Sequence, residues 1–160
     1  MKSANTTFAS FKSSSFNTTE DKDSFVNPGC FGDDVCEFFI KELKNSPLQC
    51  SPEPIAEDWG WEFAFKFGEK QYFVGCAFNT DYECWLIFIE RMKGFKEILT
   101  SIFAKQEDAV PLEVAQALHK ALIESDKITN LKWHKKDDWD TDLSNESKGL
   151  TQNIGSHEPL

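Results

Sequence analysis

The chain has 160 residues and a formal net charge of −10. That length suits one domain with enough interior to bury most of its apolar surface without a metal or disulfide staple, and 15 Phe and 5 Trp supply the bulk for such a core. The acid excess argues against direct binding to nucleic acid or anionic membranes, which draws on Lys and Arg beside phosphates, and no apolar run reaches the roughly 20 residues that span a bilayer.

The first 25 residues are polar and rich in Ser and Thr, with Phe8, Phe11 and Phe16 recurring through them. They predict an irregular or edge strand over residues 6 to 12, followed by a loose link. Pro28, Gly29 and Gly32 mark a turn. From Asp34 the spacing becomes helical, with Val35, Cys36, Phe39, Ile40 and Leu43 on one stripe. Asp34 and Glu37 are placed for a capping box, and the helix is expected to stop near Asn45, ahead of Pro47. Pro52 and Pro54 then make a restrained connector without a regular period.

Strict alternation from Gly60 to Phe67 puts Trp61, Phe63, Phe65 and Phe67 on one side of a strand. Gly68-Glu69 suits a two-residue type II′ turn, which pairs Phe65 with Tyr72, Phe63 with Val74 and Trp61 with Cys76. A second hairpin centred on Thr80 is expected to pair Cys76 with Cys84, Val74 with Leu86 and Tyr72 with Phe88. In that register Gly75 faces Trp85, leaving room for the indole. The reverse face carries Ala64, Phe73, Ala77, Trp85, Ile87 and Ile89, so something is expected to cover its centre.

After Gly94, Phe95, Ile98, Leu99, Ile102 and Phe103 form a helical stripe, and Val114, Leu118, Ala121 and Leu122 form another within Asp108 to Ser125, with Pro111 in its first turn. Ile128 to Trp133 reads as a short strand with Leu131 and Trp133 on one face. The whole predicts a single α+β domain over residues 1–140, an antiparallel sheet of three to five strands and about three packed helices. Residues 141–160, with few large apolar side chains, are expected to be a mobile tail.

No catalytic, metal-binding or cofactor constellation stands out. Glu57, Asp58, Glu62, Asp81, Glu83 and Glu90 surround the predicted sheet, but paired acid–base work needs a fixed separation that spacing alone does not give. Asp58 is placed to accept backbone N–H groups at the loop-to-strand junction, and its neighbour Trp59 either closes the core or offers a flat recognition surface. His119, His134 and His157 are far apart, with no CxxC, HxH or HExxH spacing. If its strand persists, His134 points away from Trp133. Cys36 falls on a helical core stripe, Cys76 and Cys84 on the predicted apolar sheet face, and Cys30 beside the turn is the least constrained thiol. PGCFGDD lacks the lysine and hydroxyl of a phosphate loop. Five cysteines, an odd number, and no secretory signal point to the cytoplasm.

The segments NPGCFGDDVCEFFIKEL, EDWGWEF and WLIFIE, followed by a helix and ITNLKWH, together resemble small uncharacterised bacterial proteins of α+β type over residues 27 to 134. Asp58, Trp59, Gly60 and Trp61 match a recurring acidic-Trp-Gly-aromatic element, and the resemblance implies no catalytic residue or cofactor. The expectation is a non-enzymatic, immunity-like inhibitor or adaptor that meets a basic protein through Glu57, Asp58, Trp59, Glu62, Asp81 and Glu83. The alternative is a small hydrolase using carboxylates or Cys30 near the Trp-rich turn.

Overall fold

Alternation and turn chemistry build most of what the computed structural model describes, which is residues 1–94, 109–150 and 155–160. The elements in chain order are β1 (Phe8–Lys12), α1 (Asp33–Glu42), β2 (Gln49–Cys50), β3 (Ile55–Ala56), β4 (Trp61–Phe67), β5 (Lys70–Asn79), β6 (Cys84–Met92), α2 (Leu112–Ile123), β7 (Thr129–His134) and α3 (Trp139–Ser147). The stripe expected from Phe95 to Phe103 lies outside the described residues.

The fold is α+β, but among the described residues its sheet has seven strands, not three to five, in the order β2-β4-β5-β6-β1-β7 with β3 also on β4. Every pairing is antiparallel. Two of the extra strands are two-residue pieces of the proline-rich connector, too short to show a period. β1 is no edge strand, because it lies between β6 and β7.

The first hairpin has the expected register, with Trp61 opposite Cys76, Phe63 opposite Val74 and Phe65 opposite Tyr72. The second does not. Cys76 faces Ile87, Val74 faces Ile89, Tyr72 faces Arg91, and Asn79 faces Cys84 across a four-residue loop. The loop is set by Asn79, whose Oδ1 accepts the Tyr82 N–H at 3.1 Å, and by Glu83, which adopts φ 49°. A slip of three residues is odd, so it turns β6 over. Trp85, Ile87 and Ile89 enter the core, while Leu86, Phe88 and Glu90 move to the second face. Phe88, not Trp85, fills the space over Gly75, and Cys84 no longer shares a face with Cys76.

The core lies between one sheet face and the two larger helices. Val35, Cys36, Phe39 and Leu43 pack against Trp61, Phe63, Phe65, Val74 and Cys76, and Val114, Leu118 and Leu122 complete the layer. Phe39 stacks on Phe63 with ring centroids 5.9 Å apart. α1 begins after Gly32 without a side-chain cap, so the expected capping box is absent. Asp34 instead accepts the Asn17 N–H at 2.7 Å, which ties the N-terminal segment to the helix.

The stretch expected to be a mobile tail carries α3, which covers part of the second sheet face. Trp139 stacks on Phe8 and Leu143 is buried. Beyond it, Ser156 exchanges backbone hydrogen bonds with Trp133 on β7. Its sparse apolar residues hid α3, since the helix is fastened mainly by polar contacts.

Candidate functional site

Four of the six residues singled out from sequence meet at one corner. Glu57, Asp58 and Trp59 form the loop leading into β4, closed by the Glu57 N–H donating to the Gly60 carbonyl at 2.8 Å. The loop is fastened to the 27–32 turn, because the Asp58 carbonyl accepts from Asn27 Nδ2 at 3.0 Å and from the Cys30 thiol at 3.1 Å. Trp61 Nε1 donates to the Cys30 carbonyl at 3.0 Å. A Cβ at Gly60 would stand 2.6 Å from the Cys76 carbonyl oxygen, so the loop lies directly on β5. The Asp58 carboxylate does not serve as the expected junction acceptor: it is exposed, and no hydrogen bond to it is found among the described residues.

Trp59 is 38% exposed and rests on Phe88, with ring centroids 5.2 Å apart. Phe88 also contacts Phe73 and Phe8, and Phe8 in turn contacts Trp139. An aromatic row therefore crosses the second sheet face from β5 to α3, with half-buried rings in its open part. Glu62, on the same face of β4, is half-buried. Burial first, and repulsion from Glu57 second, hold its carboxyl above the usual carboxylate range.

Asp81 and Glu83 belong to a different feature. They project from the β5–β6 loop into a cleft of about 580 Å³ lined also by Ser10, Lys12, Asn130 and Glu146. At the cleft's rim Tyr82 Oη donates to Asp140 Oδ1 at 2.9 Å, joining this loop to α3.

Sequence reasoning missed a buried relay. Ser10 on β1 lies 2.7 Å from His134 Nε2 on β7, and His134 Nδ1 lies 2.8 Å from Asp142 Oδ2 on α3. Burial lowers the His134 pKa, outweighing the opposing pull of Asp142. The ring is therefore neutral at pH 7, donating from Nδ1 to the carboxylate and accepting the Ser10 hydroxyl proton at Nε2. The order of groups is that of a hydrolytic triad, but the surroundings are not. Ser10 is 2% exposed and sits within a strand paired on both sides, so its hydroxyl is committed to His134 rather than presented as an open nucleophile. The arrangement fastens α3 to the sheet. His134 does point away from Trp133, as alternation requires. Its two partners are 124 and 8 residues distant, and no local pattern links them.

Trp133 Nε1 donates to His119 Nδ1 at 3.1 Å, and burial lowers the His119 pKa. All five cysteines are unpaired. Cys36 and Cys76 touch in the core, and burial drives the Cys36 thiol far above its ordinary pKa; burial alone pushes Cys50 up to about 11. Cys30, the thiol considered for catalysis, is half-buried and spends its proton on the Asp58 carbonyl. Among the described residues, no three His, Cys, Asp or Glu side chains are grouped to hold a metal ion, and no helix is long and apolar enough to cross a membrane.

Comparison with protein-family models, curated proteins and solved structures finds no match. The resemblance to bacterial α+β proteins therefore rests on the quoted motifs alone, and no residue role is carried over from it.

Proposed function

We propose that the chain is a non-enzymatic protein-binding module, an inhibitor or adaptor of immunity-like type, that receives a basic partner at the Trp59 corner. The observation that carries this reading is Trp59, 38% exposed on the half-buried ring of Phe88 with Glu57, Asp58 and Glu62 beside it. An exposed indole held by a fixed loop loses little entropy on binding. Its flanking carboxylates attract Lys and Arg, and its face accepts their cationic heads. The net charge of −10 steers the same class of partner from a distance and disfavours nucleic acid and anionic membranes. Five unpaired thiols suit a reducing compartment, and we place the module in the cytoplasm. Asp81 and Glu83 lie outside the corner and serve as its control.

The test is affinity capture from native lysate at low salt, then binding measurements on the captured basic protein. Trp59→Ala with Asp58→Asn is expected to weaken it by about thirty-fold, the loss of roughly 2 kcal/mol typical of a central aromatic contact. Asp81→Asn with Glu83→Gln is expected to change it less than about threefold, as rim charges do. Equal affinity for wild type and the Trp59/Asp58 variant removes the corner from the interface.

A further inference from the structure

The contacts that hold α3 on the sheet are unusual for a packed helix, because most are made by groups that carry or share protons. Asp142 accepts from His134, Glu146 accepts from Lys132 Nζ at 2.8 Å and from Asn130 Nδ2 at 2.8 Å, and Asp140 accepts from Tyr82. The apolar attachments are Leu143 and the stack of Trp139 on Phe8. We propose that α3 is an acid-released latch: it closes over His134 and Lys132 at neutral pH and detaches on mild acidification while the β4–β5–β6 sheet stays folded.

The argument is one of proton counting. While the latch is closed, the His134 side chain has no exposed surface, and its ring is covered by Asp142 on one side and by Gly155, where a Cβ would lie 2.8 Å from Nδ1. The charged groups around it are Asp142 and Glu146 on α3 and Lys132 on its own strand, while Lys135 and Asp138 line the adjoining cavity of about 420 Å³. Asp142 and Glu146 favour the protonated ring, but burial and Lys132 oppose it, and the balance keeps the closed form neutral below the ordinary value of 6.5. Opening strips α3 from one side of the imidazole and admits water to it, so the ring takes up a proton closer to that ordinary value than it does when closed. Glu146 works in the same direction. Although burial acts against it, Lys132 and Asn130 hold its closed-state pKa below 4.5, so the detached carboxylate protonates first. For both groups the open state binds more protons, and closure, constant above pH 6.5, weakens as pH falls below it. One titrating proton raises the opening constant by up to about tenfold per pH unit. Opening also frees Phe8 from Trp139, lengthening the exposed aromatic row, but the latch does not depend on the docking corner.

Hydrogen exchange across pH 7.5 to 5, with each rate divided by its intrinsic value at that pH, tests the latch on the whole chain. Protection of the Leu143 and Ser144 amides is expected to be flat above pH 6.5 and to fall by up to tenfold per unit below it, while Val74 and Cys76 keep theirs. In His134→Asn the amide still donates to Asp142 but does not titrate, and the fall between pH 6.5 and 5 is expected to disappear. Constant α3 protection, or loss of β5 protection in parallel, overturns the proposal, as does an unaltered slope in the variant. A wild-type NMR titration guards against a variant that fails to fold. The His134 ring and the α3 amides must share one midpoint, and separate midpoints also overturn the latch.

Discussion

Adding one methyl group at Gly75 tests the register of the second hairpin and the packing of the candidate corner together. A Cβ built there would lie 2.2 Å from Cζ, 2.5 Å from Cε1 and 2.7 Å from Cε2 of Phe88, so the ring has to leave its place in Gly75→Ala. Leaving disturbs its contacts with Phe8 at 5.4 Å, Trp59 at 5.2 Å and Phe73 at 6.1 Å. Aromatic pairs contribute about 0.5–1.5 kcal/mol each, and the ring is half-buried with room to swing, so losing part of three pairs costs about 2–3 kcal/mol. Replacing a strand glycine by alanine returns roughly 0.5–1 kcal/mol of chain entropy. The net expectation is about 1–2.5 kcal/mol of destabilisation, or roughly 2–10 °C in Tm for a chain of this size. The sign should reverse once the ring is gone: in a Phe88→Ala background, Gly75→Ala is expected to stabilise by about 0.5–1 kcal/mol. Urea unfolding of the four proteins closes the cycle, with an expected coupling of about 2–3 kcal/mol. Equal destabilisation in both backgrounds would refute the placement of Phe88 over Gly75.

Two further predictions concern α1 and the core. At Gly32, φ is 141° and a Cβ would stand 2.6 Å from the backbone oxygen of Cys76, inside a central strand that cannot yield. Gly32→Ala is therefore expected to cost about 3 kcal/mol or more, whereas Gly68→Ala, at φ 60° with open space around it, costs about 1 kcal/mol; comparable urea midpoints for the two variants would contradict this. Thiol labelling of the native chain at pH 8 should modify Cys30 first. Cys50 and Cys84, both pushed up to about 11 by burial, hold about a hundredfold less thiolate than at the ordinary 9.0 and react correspondingly slowly, and Cys36 reacts only on unfolding. Mass spectrometry of the labelled peptides reads the order, and early Cys36 labelling would contradict the packing of α1 on β5.

The elements legible in the sequence are those whose determinants are local. Alternation over Trp61–Phe67 and the Gly68-Glu69 turn specified the β4–β5 register, and apolar stripes located α1, α2 and β7. The second hairpin failed because the decision lay in its loop. Either register collects apolar side chains on a common face, and what separates them is the Asn79 side chain bonding to Tyr82 and a left-handed Glu83, a residue with no glycine-like preference for that backbone. β1 looked marginal because Ser10 interrupts its apolar residues, yet that hydroxyl is satisfied by His134 across the sheet. α3 looked like a tail for the same reason: partners contributed by β7 and the β5–β6 loop replace the apolar stripe that marks an ordinary helix.

The same register decision created the candidate corner. Glu57, Asp58, Trp59 and Glu62 are contiguous enough to be noticed in sequence, but their placement depends on what lies beneath Trp59. With Val74 opposite Leu86, Phe88 would have turned into the core and Trp85 would have stood over Gly75, facing the loop with a different ring. The odd slip instead puts Trp85 among Phe11, Phe16 and Phe78 and raises Phe88 to the second face, where Gly75 leaves room for it and Trp59 rests on it. A carboxylate-flanked indole is thus supported by a ring whose position is fixed by a loop at the far end of its own strand. α3 covers the β1 side of that row and leaves the β5 side half-open. The polar fastenings that hid α3 from sequence reasoning also make its coverage responsive to protons, whereas an apolar stripe would have held it at every pH.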